Sequence, residues 1–238
     1  MTAVPPPSTA IFAKCPRPGR VKTRLAHALS PEGACALAAT MLDDLVGRLA
    51  PLSGQEFHLV IDPPEERSWF EERYPGVGLA IQSGADLGSR LGRWFDTALE
   101  DHPHAVVIGA DCPALPGATV REAHSTLAAG ADVVLAPDRG GGYALVGLRR
   151  RAPELFDVPM SRADNLERTL DRARELGLEV RLLPPVRDVD HPVDLVDLER
   201  ELRDRGEGPD HPVRTALHLR RLLPLLQRSA IERSELGR

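Results

Sequence analysis

Apolar residues along this chain fall in two rhythms. Short apolar runs at residues 9–13, 57–61, 79–82, 105–108, 133–136, 143–148 and 180–183 read as buried strands. Between them, apolar positions three and four apart predict helices. Ser30 caps one, Pro31 sits in its first turn, and Leu37, Met41, Leu42, Leu45 and Leu49 form its stripe. Leu91, Trp94, Phe95 and Leu99 form a second stripe, which His102 and Pro103 end. Further helices are predicted over 65–74, 118–129, 164–176 and 194–205, with Gly177 as the stop of the third.

Strands alternating with helices mean βαβ units. The fold class predicted is α/β, a three-layer α/β/α sandwich with a mostly parallel sheet. In such sheets ligands sit at the carboxyl ends of the strands. Residues 1–8 are proline-rich and predicted to be loose, and residues 9–204 are predicted to form one α/β domain. Gly206, Gly208, Pro209 and Pro212 mark a break. A basic amphipathic helix over 211–238 follows, with Leu217, Leu222, Leu223, Leu225 and Leu226. Packing on its own domain is the favoured use of that helix, and a homodimer arm the alternative.

Composition narrows the function classes. The formal net charge of −5 argues against a nucleic-acid partner, whose binding face would be basic. Cys15, Cys35 and Cys112 lack metal-type spacing and read as free thiols of a reducing compartment, with Cys112 as small buried filler. No long apolar run predicts a membrane span, and a cytoplasmic location is expected.

Against that mildly acidic background one stretch stands out, IFAKCPRPGRVKTRL at 11–25. It places Lys14, Arg17, Arg20, Lys22 and Arg24 around Pro16, Pro18 and Gly19, directly after the first strand. Arginine offers a planar fork of donors to phosphate and lysine a point charge, so the loop reads as a phosphate cradle. The counter-charge follows other strands. Asp111 lies between Gly109 and Pro113, and Asp188 and Asp190 are two apart in an extended segment, so they share a face. Two carboxylates near a cationic loop can hold Mg²⁺ or Mn²⁺ against phosphate oxygens, and metal and cations together stabilise a departing phosphate. His191, between Asp190 and Pro192, reads as a turn residue rather than a base.

These motifs, with Gly109-Ala110-Asp111-Cys112-Pro113-Ala114-Leu115, Gly141-Gly142-Tyr143 and DVDHPVDL at 188–195, resemble a bacterial family of GT-A-type transferases. They are the DUF2064-like glycosyltransferases of arsenosugar and radical-SAM/selenodomain gene clusters. The KTRL and DVDxPxDL pieces are similar to those of guanylyltransferases that activate phospholactate or phosphoenolpyruvate for the F420 cofactor. Sugar-nucleotide cytidylyltransferases share the last piece. The resemblance covers about residues 10–200 and implies roles. Lys14, Gly19, Lys22 and Arg24 match the phosphate loop. Gln82, Gly84, Asp86 and Gly88 match the segment along base and ribose. Asp111 and Asp190 match the metal carboxylates, with Lys22 and Asp111 as the catalytic pair. Asp138, Gly141, Gly142, Tyr143 and Ser161 fall on the acceptor side.

Two departures face the acceptor. Gly140 stands where the family has an Asp, with Asp138 two residues earlier, and Met160-Ser161-Arg162 replaces a Trp-Ser-Thr segment. The main expectation is a metal-dependent glycosyltransferase moving a sugar from a nucleotide-sugar to a small-molecule acceptor. The alternative is a nucleotidylyltransferase that joins an NTP to a phosphorylated small acid or sugar and releases pyrophosphate. A non-catalytic nucleotide-binding protein is the third reading. An Asp-x-Asp phosphatase is disfavoured because that motif here sits near the end, before His191 and Pro192. A Rossmann dinucleotide site is disfavoured because no G-x-G-x-x-G follows the first strand.

Overall fold

The computed structural model describes residues 5–160 and 162–236, the side chains of 225–236 aside. The chain divides into two compact units. The first comprises Met1–Cys15, Arg48–Gly109 and Leu115–Arg187, and the second Pro16–Gly47, Ala110–Ala114 and Asp188–Arg238.

The first unit carries a seven-stranded sheet. Its strands are β1 (Ser8–Lys14), β2 (Glu56–Asp62), β3 (Gly78–Ile81), β4 (Ala105–Gly109), β5 (Val133–Pro137), β6 (Tyr143–Leu148) and β7 (Val180–Leu182). They lie in the order β3-β2-β1-β4-β6-β5-β7. All neighbours are parallel except β6, which runs antiparallel to both β4 and β5. The predicted mixed, mostly parallel α/β class is therefore the one found. The reversed strand has a local cause: only the turn at residues 138–142 separates β5 from β6, too short for the crossover that parallel pairing needs.

Side-chain alternation along the strands buries both faces. Ala105 and Val107 of β4 join Val133, Leu135, Val146 and Leu148 in a core closed by Leu91 and Phe95 of α3 (Leu87–Asp101) and Ala173 of α5 (Asn165–Glu175). On the opposite face, Leu127 of α4 (Gly117–Ala128) and Val106 both crowd Gly147. The α3 stripe thus lands where its spacing predicts. The short helix expected over 65–74 is a 3₁₀ turn, Pro64–Glu66, followed by α2 (Arg67–Arg73).

The second unit is helical. Its chief element, α1 (Thr23–Leu49), is two helices merged across a kink at Ser30, whose φ of 65° is not helical. Ser30 Oγ accepts from Gly33 N at 3.2 Å, so the predicted cap starts the longer segment. The shorter segment before it escaped the sequence reading because only Leu25 of its residues is fully buried. Leu25, Leu37 and Met41 pack with Ala114, Val189, Leu195, Leu198 and Leu202 of α6 (Pro192–Arg205), and Leu219 of α7 (Val213–Leu236).

The expected face of α7 needs correction: Leu217 is exposed, and the packed face runs through Ala216, Leu219 and Leu223. Asp44 of α1 sets this register. Its carboxylate accepts from Arg214 N at 3.2 Å and Thr215 N at 2.7 Å, satisfying donors that a helix start leaves open. Leu225 and Leu226 lie outside the described side chains. Among the described residues, no helix is long and apolar enough to cross a membrane.

Candidate active site

Three segments of the second unit converge. In each, a charged residue stands beside a neighbour anchored in the core. Val189 is fully buried, so its neighbour Asp190 is turned outward in an extended stretch. Leu25 anchors the strand-to-helix loop just past Lys22 and Arg24, and Cys112 and Ala114 anchor the segment that begins at Asp111. Val189 N donates to the Asp111 carbonyl at 2.9 Å, tying two acidic segments that lie far apart in sequence.

Lys22 is the hub. Its ammonium lies 2.5 Å from Asp111 Oδ1 and 3.3 Å from Asp190 Oδ1, and it also donates to the Val189 carbonyl. Arg24 Nη1 takes the other oxygen, Asp190 Oδ2, at 2.8 Å. The Lys22 side chain is 5% exposed, whereas Asp111 is 55% exposed. A buried ammonium needs partners of this quality, and the Asp111 side chain remains more than half open to solvent. Lys22 also adopts φ 48°, a left-handed conformation that L side chains rarely hold, and such strain concentrates at functional positions.

Sequence reading missed two supports of this cluster. The first is the Val189 carbonyl. The second is Asp194, whose carboxylate accepts from Asp190 N at 2.9 Å and His191 N at 2.6 Å and so fixes the Asp190 backbone. The signal for Asp194 was present: an acid three residues after the helix cap, with Pro192 between, is a capping pattern. His191 is the cap of α6, as the turn reading held.

Gly19 lies in the same unit, at φ 74° in the loop where Arg20 N donates to the Arg17 carbonyl. Arg17 and Arg20 are exposed. Lys14 belongs to the first unit, exposed at the end of β1.

The other expected residues form two networks in the first unit. Gln82 Nε2 donates to the Val60 carbonyl at 2.9 Å, and its Oε1 accepts from Arg90 at 3.3 Å. Arg90 in turn reaches the Gly84 carbonyl and Asp62. Asp86 caps α3: its carboxylate accepts from Ser89 N at 2.8 Å, and that backbone bond, with the Ser89 hydroxyl, holds its carboxyl below the usual range. Gly88 allows close approach, since a Cβ there would lie 2.5 Å from the Phe156 carbonyl.

In the second network, Asp138 Oδ1 accepts from Gly140 N at 2.8 Å and Gly142 N at 2.7 Å and closes the β5–β6 turn. Gly141 sits at φ 88°, and a Cβ on it would come within 1.8 Å of the Ala163 carbonyl. The Tyr143 hydroxyl faces Thr169 and Asn165 and lies 3.8 Å from Met160 Sδ; burial pushes its pKa up to about 12. Ser161 lies outside the described residues.

Among the described residues, no group of three His, Cys, Asp or Glu side chains is placed to hold a metal ion. Asp111 and Asp190 with the Val189 carbonyl supply an all-oxygen donor set around one cation. That suits Mg²⁺ or Mn²⁺, which complete their shells with water and phosphate oxygens rather than a full protein cage.

A buried lysine and an arginine on paired carboxylates suit the phosphates of a nucleotide, and the relatives of this chain are nucleotide-using transferases. Comparison with known proteins gives the particular family. The chain is 30% identical over 181 residues to the 2-phospho-L-lactate guanylyltransferase of Methanocella arvoryzae, covering 75% of this chain and 74% of that protein, and it belongs to that family. A family profile described as an uncharacterized protein conserved in bacteria (DUF2064) matches residues 45–162.

Among solved structures, a Desulfovibrio desulfuricans G20 protein classed with the nucleotide-diphospho-sugar transferases superposes with a TM-score of 0.83. It is 29% identical, over 93% of this chain and 96% of that one. A Mycobacterium tuberculosis H37Rv protein crystallised with manganese shares the fold at a TM-score of 0.51. It is 16% identical, over 82% of this chain and 98% of that one.

Proposed function

We infer that this protein is a nucleotidylyltransferase: an oxygen of a small phosphorylated acid or sugar attacks the α-phosphorus of a nucleoside triphosphate, and pyrophosphate leaves. This is the reaction expected as the alternative from sequence, and kinship with a guanylyltransferase favours it over glycosyl transfer. The observation that carries it is the Lys22–Asp111–Asp190 cluster, which gathers one buried cation and two carboxylates at the head of an exposed cationic loop.

The reading gives each residue a task. Lys22 and Arg24, with Lys14 and the Gly19 turn, bind the triphosphate and neutralise the charge that grows on departing pyrophosphate. Asp111 and Asp190 would hold the divalent ion. When bound, that ion supplies Lewis-acid polarisation of the phosphate oxygens. The segment from Gln82 to Gly88 is assigned to base and ribose. Asp138, Gly141, Gly142 and Tyr143, with Ser161, are assigned to the acceptor.

Glycosyl transfer remains the second reading, favoured by the Desulfovibrio likeness. The test is product analysis with Mn²⁺. Each NTP is offered with a panel of phosphorylated small acids, and UDP- and GDP-sugars are offered with the same panel. Pyrophosphate release dependent on an acceptor supports nucleotidyl transfer. Nucleoside diphosphate release from a nucleotide-sugar, with no pyrophosphate from any NTP, overturns it.

A further inference from the structure

The Lys22 ammonium occupies the place that a metal ion between Asp111 and Asp190 would take. It meets one oxygen from each carboxylate and the Val189 carbonyl, the hard oxygen set a small divalent cation prefers. Arg24 covers the second oxygen of Asp190. Two cations therefore already face Asp111 and Asp190, and those two carboxylates have no formal charge left to attract a divalent ion from water, while the Asp194 carboxylate is held by backbone amides. A metal that entered beside the ammonium would sit against a like charge in a half-buried site, where repulsion is poorly screened.

A nucleoside triphosphate changes that balance. Its oxygens offer the ammonium stronger partners than a carboxylate shared with Arg24, and its charge calls for the metal that the bare site repels. The left-handed φ of Lys22 shows a backbone held in an uncommon conformation while the side chain points inward.

We propose that Lys22 is the resident cation of the Asp111–Asp190 site in the nucleotide-free protein, and that a divalent metal gains both carboxylates only after the triphosphate draws the ammonium out. Nucleotide thus binds before or with the metal, and Lys22 sets the order. The inference rests on the metal role assigned to the two carboxylates above.

The test is Mn²⁺ binding to the full chain without nucleotide, followed by electron paramagnetic resonance. Wild type should bind Mn²⁺ only in the millimolar range. Lys22→Gln and Lys22→Met should bind at least tenfold tighter, and adding Asp111→Asn to either should remove that gain. Lys22→Gln keeps a hydrogen-bond donor among the same oxygens, so the site stays folded if the methionine variant does not.

Micromolar binding by wild type that Asp111→Asn abolishes overturns the inference and leaves the metal role standing. So does unchanged affinity in a folded Lys22 variant. Mn²⁺ binding indifferent to Asp111→Asn in every protein overturns the metal role and the inference with it.

A second measurement needs no metal. In protein labelled with nitrogen-15 lysine, one ammonium signal should be protected from exchange. It should move to a new position on adding at least one of the four α,β-methylene nucleoside triphosphates. A signal unmoved by all four overturns the proposal.

Discussion

At the scale of single residues, the candidate chemistry rests on Lys22 and the two carboxylates that partner it rather than on apolar packing. Asp111 is more than half exposed on its side chain, and its backbone carbonyl, not its carboxylate, ties the segment to Val189. Asp111→Ala is therefore expected to abolish turnover while the chain still folds, at a cost of about 1–3 kcal/mol in urea denaturation because the buried Lys22 ammonium loses one of its two carboxylates. Equal turnover would remove the metal mechanism. Lys22→Ala should weaken triphosphate binding by roughly 1.5–3 kcal/mol, the worth of a charged hydrogen bond, in a calorimetric titration. Gly141 is the opposite case. Its φ of 88° and the Ala163 carbonyl leave no room for a methyl group. Gly141→Ala should cost at least ~2 kcal/mol of stability, read in urea denaturation.

The elements show what could be read from sequence and what could not. The α3 and α1 stripes were legible because burial follows a helical period without interruption, from Leu91 to Leu99 and from Leu37 to Leu49. The reversal of β6 was legible only as a short turn, since strand direction leaves no mark on an apolar run. The face of α7 was misjudged because its small buried residue, Ala216, gives a weak apolar signal while Leu217 is exposed. What holds α7 is a cap from another helix, which no local pattern announces. Asp44→Ala removes that cap from two amides. It should cost about 1–2 kcal/mol and speed hydrogen exchange chiefly in α7. Uniformly unchanged exchange would contradict this.

At the scale of the whole molecule, stability carries a pH signature from a histidine pair in the first unit. His104 and His124 have ring centroids 5.1 Å apart, and the Thr9 hydroxyl, which donates to Gln55, lies 2.7 Å from His124 Nε2. Burial, then the neighbouring His104, lowers the His124 pKa to about 4. The unfolded chain takes up that proton near pH 6.5 and the folded chain near 4. Stability should therefore be full above pH 6.5 and fall as pH drops toward 4, by ~3 kcal/mol from this group. His124→Gln should flatten that slope in urea unfolding between pH 7.5 and 4.5, and an unchanged slope would refute the assignment.

The Lys22, Arg24, Asp111 and Asp190 part of the candidate site was legible because charge in a short loop and acids beside apolar residues are sequence features. Lys22 as the bridge between two carboxylates was not, since nothing in the spacing tells which of five cations turns inward. The most direct test is therefore anomalous diffraction from crystals grown with Mn²⁺ and an α,β-methylene nucleoside triphosphate. The account expects a manganese peak bonded to Asp111 and Asp190, with the Lys22 ammonium moved onto the phosphates. A nucleotide whose phosphates and manganese lie away from these three residues would contradict it.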